Sequence, residues 1–318
     1  MDLLFLGTSS ATPTKSRNVS GLALLEESGR GWCLIDCGEG TQHQVLHSPL
    51  SLADLQAIFI THVHGDHCYG LPGLLASAGL QAREKPLPII APAGIEDWIR
   101  STRQLPQLFL PFELVFLHTE SLADWRLANW RVDAYPLSHR VPSFAYRFTE
   151  ARSEPRLDTE KLITDGVPRG PAWGQLMKGI DVEVEGTMRK SSDYLRFPNA
   201  PRRIVIAGDN DRPDLLAAPC REAQVLIHEA TYTTEIAGRM AGHGHSSAAA
   251  VAGFAQSIAL PNLILTHFSA RYQAGTGRSP SIEDIRMEAA LHYHGQLFLA
   301  EDFARYRLNK AGQLLRVA

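Results

Sequence analysis

The chain has no apolar run long enough to cross a bilayer, no internal repeat and no low-complexity tract. These absences exclude a membrane-spanning helix, a solenoid and a disordered linker protein. Cysteine is scarce: Cys33, Cys37, Cys68 and Cys220 complete no zinc-finger spacing, and they read as reduced thiols of a cytoplasmic protein. There is no basic excess either. Lys and Arg number 31 against 34 Asp and Glu, a formal charge of −3, so any nucleic-acid contact must come from local patches. The opening Met1-Asp2-Leu3-Leu4-Phe5-Leu6 has no basic flank and stops at Gly7-Thr8, so it is expected to be a first strand and not a signal peptide.

What the chain does have is apolar runs that end in chemistry. Cys33–Asp36, Ala57–His62, Arg131–His139, Ile204–Asp209, Val225–Glu229 and Leu263–His267 each read as a short strand followed by a polar or metal-binding residue. The runs are mostly continuous, the mark of strands covered on both faces, and they predict α/β sheets between helices. Two helices are expected. One carries the stripe Leu71, Leu74, Leu75 and Ala78; the other starts from an N-cap at Ser246 and repeats at Ala248, Val251, Ala252 and Ala255. Residues 150–201 break the rhythm with many Gly, Pro and charged positions between two strand-like runs. They are read as an insertion carrying a projecting arm at about 165–195, against a plain solvated excursion.

Of thirteen histidines, three stand with an aspartate in Thr61-His62-Val63-His64-Gly65-Asp66-His67. Nitrogen and carboxylate oxygen suit Zn²⁺ and similar cations, and a core has no use for four ionisable groups at this spacing. This segment resembles the signature of the metallo-β-lactamase superfamily. The wider chain resembles the ribonuclease Z family, through Asp36-Cys37-Gly38-Glu39-Gly40-Thr41, Gly70-Leu71-Pro72-Gly73-Leu74-Leu75, Gly166-Val167-Pro168-Arg169-Gly170-Pro171, His228-Glu229-Ala230-Thr231 and Gly244-His245-Ser246-Ser247.

The resemblance implies a single metallo-β-lactamase domain over residues 1–318, an αβ/βα four-layer sandwich with an inserted flexible arm that binds transfer RNA. It implies that His62, His64 and His139 hold one Zn²⁺, that Asp66, His67 and His267 hold the other, and that Asp209 bridges them. Mn²⁺, Co²⁺ or Mg²⁺ are expected substitutes, with no organic cofactor. Two such ions about 3.5–4 Å apart can hold a hydroxide near neutral pH and clamp an in-line displacement at phosphorus, and Asp66 is placed to orient that hydroxide. By the same resemblance His245 protonates the departing ribose 3′ oxygen, with Glu229 as its partner. His243 is a rival for that role. His228 reads as a scaffold residue, and Asp36 and Glu39 as acceptors that orient imidazoles or, alternatively, as turn chemistry.

Substrate must be sought away from the metal ligands. Lys15, Arg17 and Asn18 resemble the family's loop for the RNA 3′ end, and Arg271 is expected on a phosphate. Gly170 and Pro171 match the family's arm motif, where Lys178, Arg189 and Lys190 add charge. The implied reaction removes the 3′ trailer of precursor tRNA, leaving a 3′-hydroxyl on the tRNA and a 5′-phosphate on the trailer. A homodimer is the implied assembly. The alternatives are a hydrolase of small esters or cyclic phosphodiesters, and an RNA-binding protein with structural zinc.

Overall fold

The structure is a computed structural model and describes residues 1–26, 30–151, 155–197, 199–240, 242–273 and 279–317. Among them the chain divides into two compact units, one formed by Met1–Thr149 with Arg203–Ala318 and the other by Glu150–Arg202.

Among the described residues the larger unit is built on two large sheets, beside a two-stranded one of Ser9–Ser10 and Phe268–Ser269. In the first, Asp2–Gly7 pairs with Gly21–Leu25, which pairs with Trp32–Cys37; parallel strands Leu55–Phe59, Leu87–Ala91 and Leu114–His118 follow on that side, and Arg305–Leu308 and Leu314–Val317 complete the other. In the second, Arg203–Ala207, Val225–Glu229, Asn262–Thr266 and Gln296–Leu299 run parallel. Ser143–Glu150 adds antiparallel to the first of these, with Trp130–Leu137 beyond it.

What each face meets accounts for the continuous apolar runs. Leu3 and Phe5 point into a core shared by both sheets, whereas Leu4 and Leu6 point to a second core under the helices Leu71–Leu80 and Ile95–Gln104. On the other sheet Ile204, Ile206, Val225 and Ile227 enter the shared core, while Val205, Leu226, Leu263 and Leu265 meet the helices Ala248–Ser257 and Ile282–His292. The period-two alternation thus divides one apolar run between two interfaces, and the layers run helix, sheet, sheet, helix.

The stripe Leu71, Leu74, Leu75, Ala78 is buried as its spacing predicts. The other helix buries Ala248, Val251, Ala252 and Ala255, but its N-cap is Ser247, not Ser246: the Ser247 side chain accepts from Ala250 N. Ser246 is occupied elsewhere, since its hydroxyl donates to Asn210 O at 2.6 Å. His245 therefore lies two residues ahead of the cap rather than at the helix entrance.

Asp2 is buried and receives Arg305 Nε at 2.9 Å and Arg307 Nε at 2.8 Å. Burial works to raise its carboxyl, but the hydrogen bonds and charge of Arg307 and Arg305 outweigh it and hold the group below its ordinary value. A carboxyl lowered on folding contributes stability above its unfolded value and loses it as pH falls through the folded one. Asp2→Asn is accordingly expected to cost about 2 kcal/mol at neutral pH. In urea melts its deficit against the parent should shrink below about pH 4; a deficit that stays constant through the acid range would contradict this.

The smaller unit, Glu150–Arg202, buries Leu162, Val167, Leu176, Val182 and Tyr194 together. Its helices are Thr159–Thr164, capped by Asp158, and Pro171–Met177, with Pro171 in the first turn. Arg202 Nη2 meets Glu150 Oε1 at 2.6 Å and closes its base. Positions 152–154 and 198 of the insertion lie outside the described residues.

Candidate metal centre

The ends of strands from both sheets converge. His62 and His64 follow Leu55–Phe59, Asp66 and His67 lie on the short helix Gly65–Cys68, His139 follows Trp130–Leu137, Asp209 follows Arg203–Ala207, and His267 follows Asn262–Thr266. His62, His64, His139 and Asp209 form one group of facing donor atoms, and Asp66, His67 and His267 form another. Asp209 straddles them: Oδ2 faces His62 Nε2 at 3.6 Å and His139 Nε2 at 3.8 Å, while Oδ1 faces His67 Nε2 at 3.6 Å and His267 Nε2 at 3.5 Å. Asp36 and His267 themselves hold left-handed backbone, φ 58° each, a conformation costly outside glycine and kept only where surroundings impose it.

The outer hydrogen bonds fix which nitrogen points inward. His67 Nδ1 lies 2.7 Å from Asp36 Oδ2, and His139 Nδ1 2.7 Å from Gly244 O. Thr61 Oγ1 donates to Asp36 and so accepts from His62 Nδ1 at 3.0 Å. Thr231 Oγ1 donates to Glu229 and is the acceptor for His267 Nδ1 at 3.0 Å. Each of these rings thus spends its proton outward and turns a lone pair inward. Gly244 permits one such contact, since a Cβ there would stand 2.7 Å from His139 Nδ1.

Inward lone pairs have nothing to bind but a cation. His67 Nε2 and His267 Nε2 face each other at 3.1 Å, as do His139 Nε2 and His64 Nδ1, and His62 Nε2 is buried with no hydrogen-bond partner. Two nitrogens at zinc-bond length and tetrahedral angle stand roughly 3.3 Å apart, so these spacings fit ligands of one ion. The charges around the two central imidazoles pull them in opposite directions. Burial opposes charge on His67, but Asp66, Asp36 and Asp209 push it well above the ordinary imidazole range; burial, then the charges of His67 and His139, drive His62 well below it. A cation held there would compete with protons for the inward nitrogens.

His245 borders the cluster. Its Nδ1 lies 3.0 Å from Glu229 Oε1 and 3.6 Å from Asp209 Oδ2. Burial disfavours its charged form, yet Glu229 and Asp209 raise it to about 9. Burial would raise the Glu229 carboxyl in turn, but His245, His267 and His228 bring it down to about 2. His243 lines the same cleft, and His228 is a fully buried brace whose Nε2 lies 3.0 Å from Asn210 Nδ2. Asp36 reaches an imidazole; Glu39 lies at the cleft edge, where its backbone oxygen takes the Asn18 amide at 3.0 Å.

The expected RNA loop is only partly available. Lys15 is exposed, but Arg17 is buried, donating to Thr8 Oγ1 at 2.7 Å and Ala300 O at 2.8 Å and lying over the Phe268 ring. Arg17 thus holds the loop in place with Nη1, and its burial counts against the direct substrate contact expected from the sequence. Asn18 is likewise a brace, its N–H donating to Asp302 Oδ2 at 2.6 Å. Arg271 is exposed and near Tyr232, which lines the cleft. Gly170 and Pro171 begin a helix in the other unit, where Arg169 lies over Trp173. Thr231 and Asn210 carry no signal of their own in the sequence, although Thr231 stands within a motif. Asn210 N donates to Glu229 Oε1 at 2.9 Å, fixing the carboxylate that holds His245.

A family model described as "Anti-Pycsar protein Apyc1" matches residues 1–102, about a third of the chain. Among solved structures, a metallo-β-lactamase fold protein, YhfI from Bacillus subtilis, superposes with a TM-score of 0.64 at 17% identity, covering 96% of this chain and 98% of that one. Human tRNase Z, short form, superposes with a TM-score of 0.67 at 30% identity, covering 97% of this chain and 100% of the other. Ribonuclease Z of Pseudomonas putida (strain W619) is 55% identical over 318 residues, covering 100% of this chain and 99% of the relative. With that likeness running from end to end over a metallo-β-lactamase fold, the chain belongs to the ribonuclease Z family and is a metal-dependent endoribonuclease.

Proposed function

We propose that the chain cuts the 3′ trailer from precursor tRNA with a pair of Zn²⁺ ions, His62, His64 and His139 holding one, Asp66, His67 and His267 the other, and Asp209 both. The observation that carries this reading is the straddling Asp209 carboxylate between two donor groups in a chain 55% identical throughout to a ribonuclease Z. The ions would supply a nucleophile at neutral pH and offset charge on the phosphoryl oxygens. The chain's residues do the rest. Asp66 Oδ2, pinned by Ala11 N at 2.7 Å, faces the cluster as an acceptor that fixes the attacking group's orientation. His245, held in its charged form by Glu229, keeps Nε2–H free to protonate the departing 3′ oxygen. A cleft of about 450 Å³, bordered by Ser10, Ala11, Tyr69, Arg140 and Tyr232, admits the strand.

Residues 165–195 form the proposed tRNA-binding arm, with Gly170 and Pro171 at the start of its helix and Lys178, Arg189 and Lys190 as its cations. Deleting them should lower kcat/KM for precursor tRNA by far more than turnover of a bis-aryl phosphate. Equal losses would favour a small-diester hydrolase. Action in the cytoplasm as a homodimer belongs to the same proposal; no helix among the described residues is long and apolar enough to cross a membrane. The decisive assay incubates zinc-loaded protein with precursor tRNA and maps both ends. Mature tRNA with a 3′-hydroxyl and a trailer with a 5′-phosphate are expected. An intact precursor, with cyclic phosphodiesters or esters turned over instead, would overturn the reading.

A further inference from the structure

Tyr69 is a large aromatic side chain that the metal chemistry does not use. It follows directly on the helix Gly65–Cys68 that carries Asp66 and His67, it borders the cleft, and it is 61% exposed. One part of its ring is seated on Gly65: a Cβ there would come within 2.3 Å of the ring. Its other ring neighbour is Trp98, at 5.9 Å between centroids and tilted by 41°, and Trp98 is itself packed against the core beneath the helices. The ring is therefore fixed at the cleft edge by its contacts with Gly65 and Trp98, while most of its surface stays exposed beside the ligands. An exposed aromatic this close to a phosphodiester-cutting centre has the chemistry of a platform for an unpaired base.

Building on the trailer-removal reading, we propose that Tyr69 stacks the nucleobase of the first trailer nucleotide and so positions the scissile phosphate over the metal cluster. The placement follows from the leaving group. His245 protonates the 3′ oxygen of the tRNA side, so the tRNA ribose lies toward His245, while the trailer nucleoside stays joined to phosphorus through its 5′ oxygen. Of the two tyrosines bordering the cleft, Tyr232 is buried beside the His245 ring, which leaves Tyr69 for the trailer base. Any base offers a π-face, which suits trailers of differing sequence.

The test is a chemical double-mutant cycle on the zinc-loaded protein, with kcat/KM measured for precursor tRNA bearing either a base or an abasic site at the first trailer position. Tyr69→Leu, which keeps an apolar packing group on Gly65 but removes the aromatic face, should lower kcat/KM for the intact substrate about 5- to 150-fold. The parent should lose a similar factor with the abasic substrate, and Tyr69→Leu should lose almost nothing further. Tyr69→Phe should restore the parent's sensitivity. Metal content and melting temperature of Tyr69→Leu should match the parent's, and a drop in either would assign the ring a structural role and overturn the proposal. Additive losses, or coupling only to an abasic site on the tRNA side, would also overturn it. A parent protein that fails to cut precursor tRNA at all would instead refute the trailer-removal reading itself.

Discussion

Asp209→Ala should lower the rate of RNA cleavage by at least about 10³-fold and reduce bound metal below the parent's content. The size follows from the role. A metal pair contributes several kcal/mol of transition-state stabilisation, and each ~1.36 kcal/mol is tenfold in rate. Asp209 is the one carboxylate among the described residues whose two oxygens address both donor groups, at 3.6 and 3.8 Å from two imidazole nitrogens of one and at 3.6 and 3.5 Å from two of the other. Its loss removes an acceptor from both groups at once and leaves the facing nitrogens of His62, His139, His67 and His267 without their shared carboxylate. The check combines elemental analysis with single-turnover kinetics. Full metal content with an unchanged rate would show that the carboxylate serves only as scaffold.

His245→Ala should lower kcat for precursor tRNA by about 10²- to 10⁴-fold while leaving bound metal at the parent's level. Loss of a proton donor falls on the chemical step, because a 3′ oxygen leaves as a strong base unless protonated. Glu229→Gln should fall in the same range, and the double variant should be scarcely worse than either single one, since the two groups act as a unit through the 3.0 Å contact between His245 Nδ1 and Glu229 Oε1. A substrate whose leaving group is a good one, such as an aryl phosphate diester, should be far less sensitive to His245→Ala. Equal sensitivity would mean that the histidine maintains the cluster and does not deliver a proton.

Four of the cluster residues, His62, His64, Asp66 and His67, are legible in sequence from their spacing, because a packed core seldom keeps so many ionisable groups together. His139, Asp209 and His267 end strand-like runs as His228 and Glu229 also do, and only the family resemblance groups them with the four. The strands themselves are legible because each apolar run serves two interfaces, as Leu3 and Phe5 do against Leu4 and Leu6. Arg17 is not. In sequence it is a basic residue in a polar turn, and only the fold brings Ala300 O and the Phe268 ring against it. The helix cap falls one residue later than its sequence predicts because Ser246 and Ser247 are equivalent to a local rule. The Ser246 bond to Asn210 O, 36 positions away, decides between them. Tyr69 is illegible for the opposite reason: an exposed aromatic carries no periodic signal, and its meaning comes from Gly65 beneath it and the cleft beside it.

Whether one carboxylate joins two ions can be seen by anomalous diffraction from crystals of the zinc-loaded protein. Two peaks per chain are expected, one among His62, His64 and His139 and one among Asp66, His67 and His267, with Asp209 between them. A single peak, or none within reach of Asp209, would contradict the dinuclear centre.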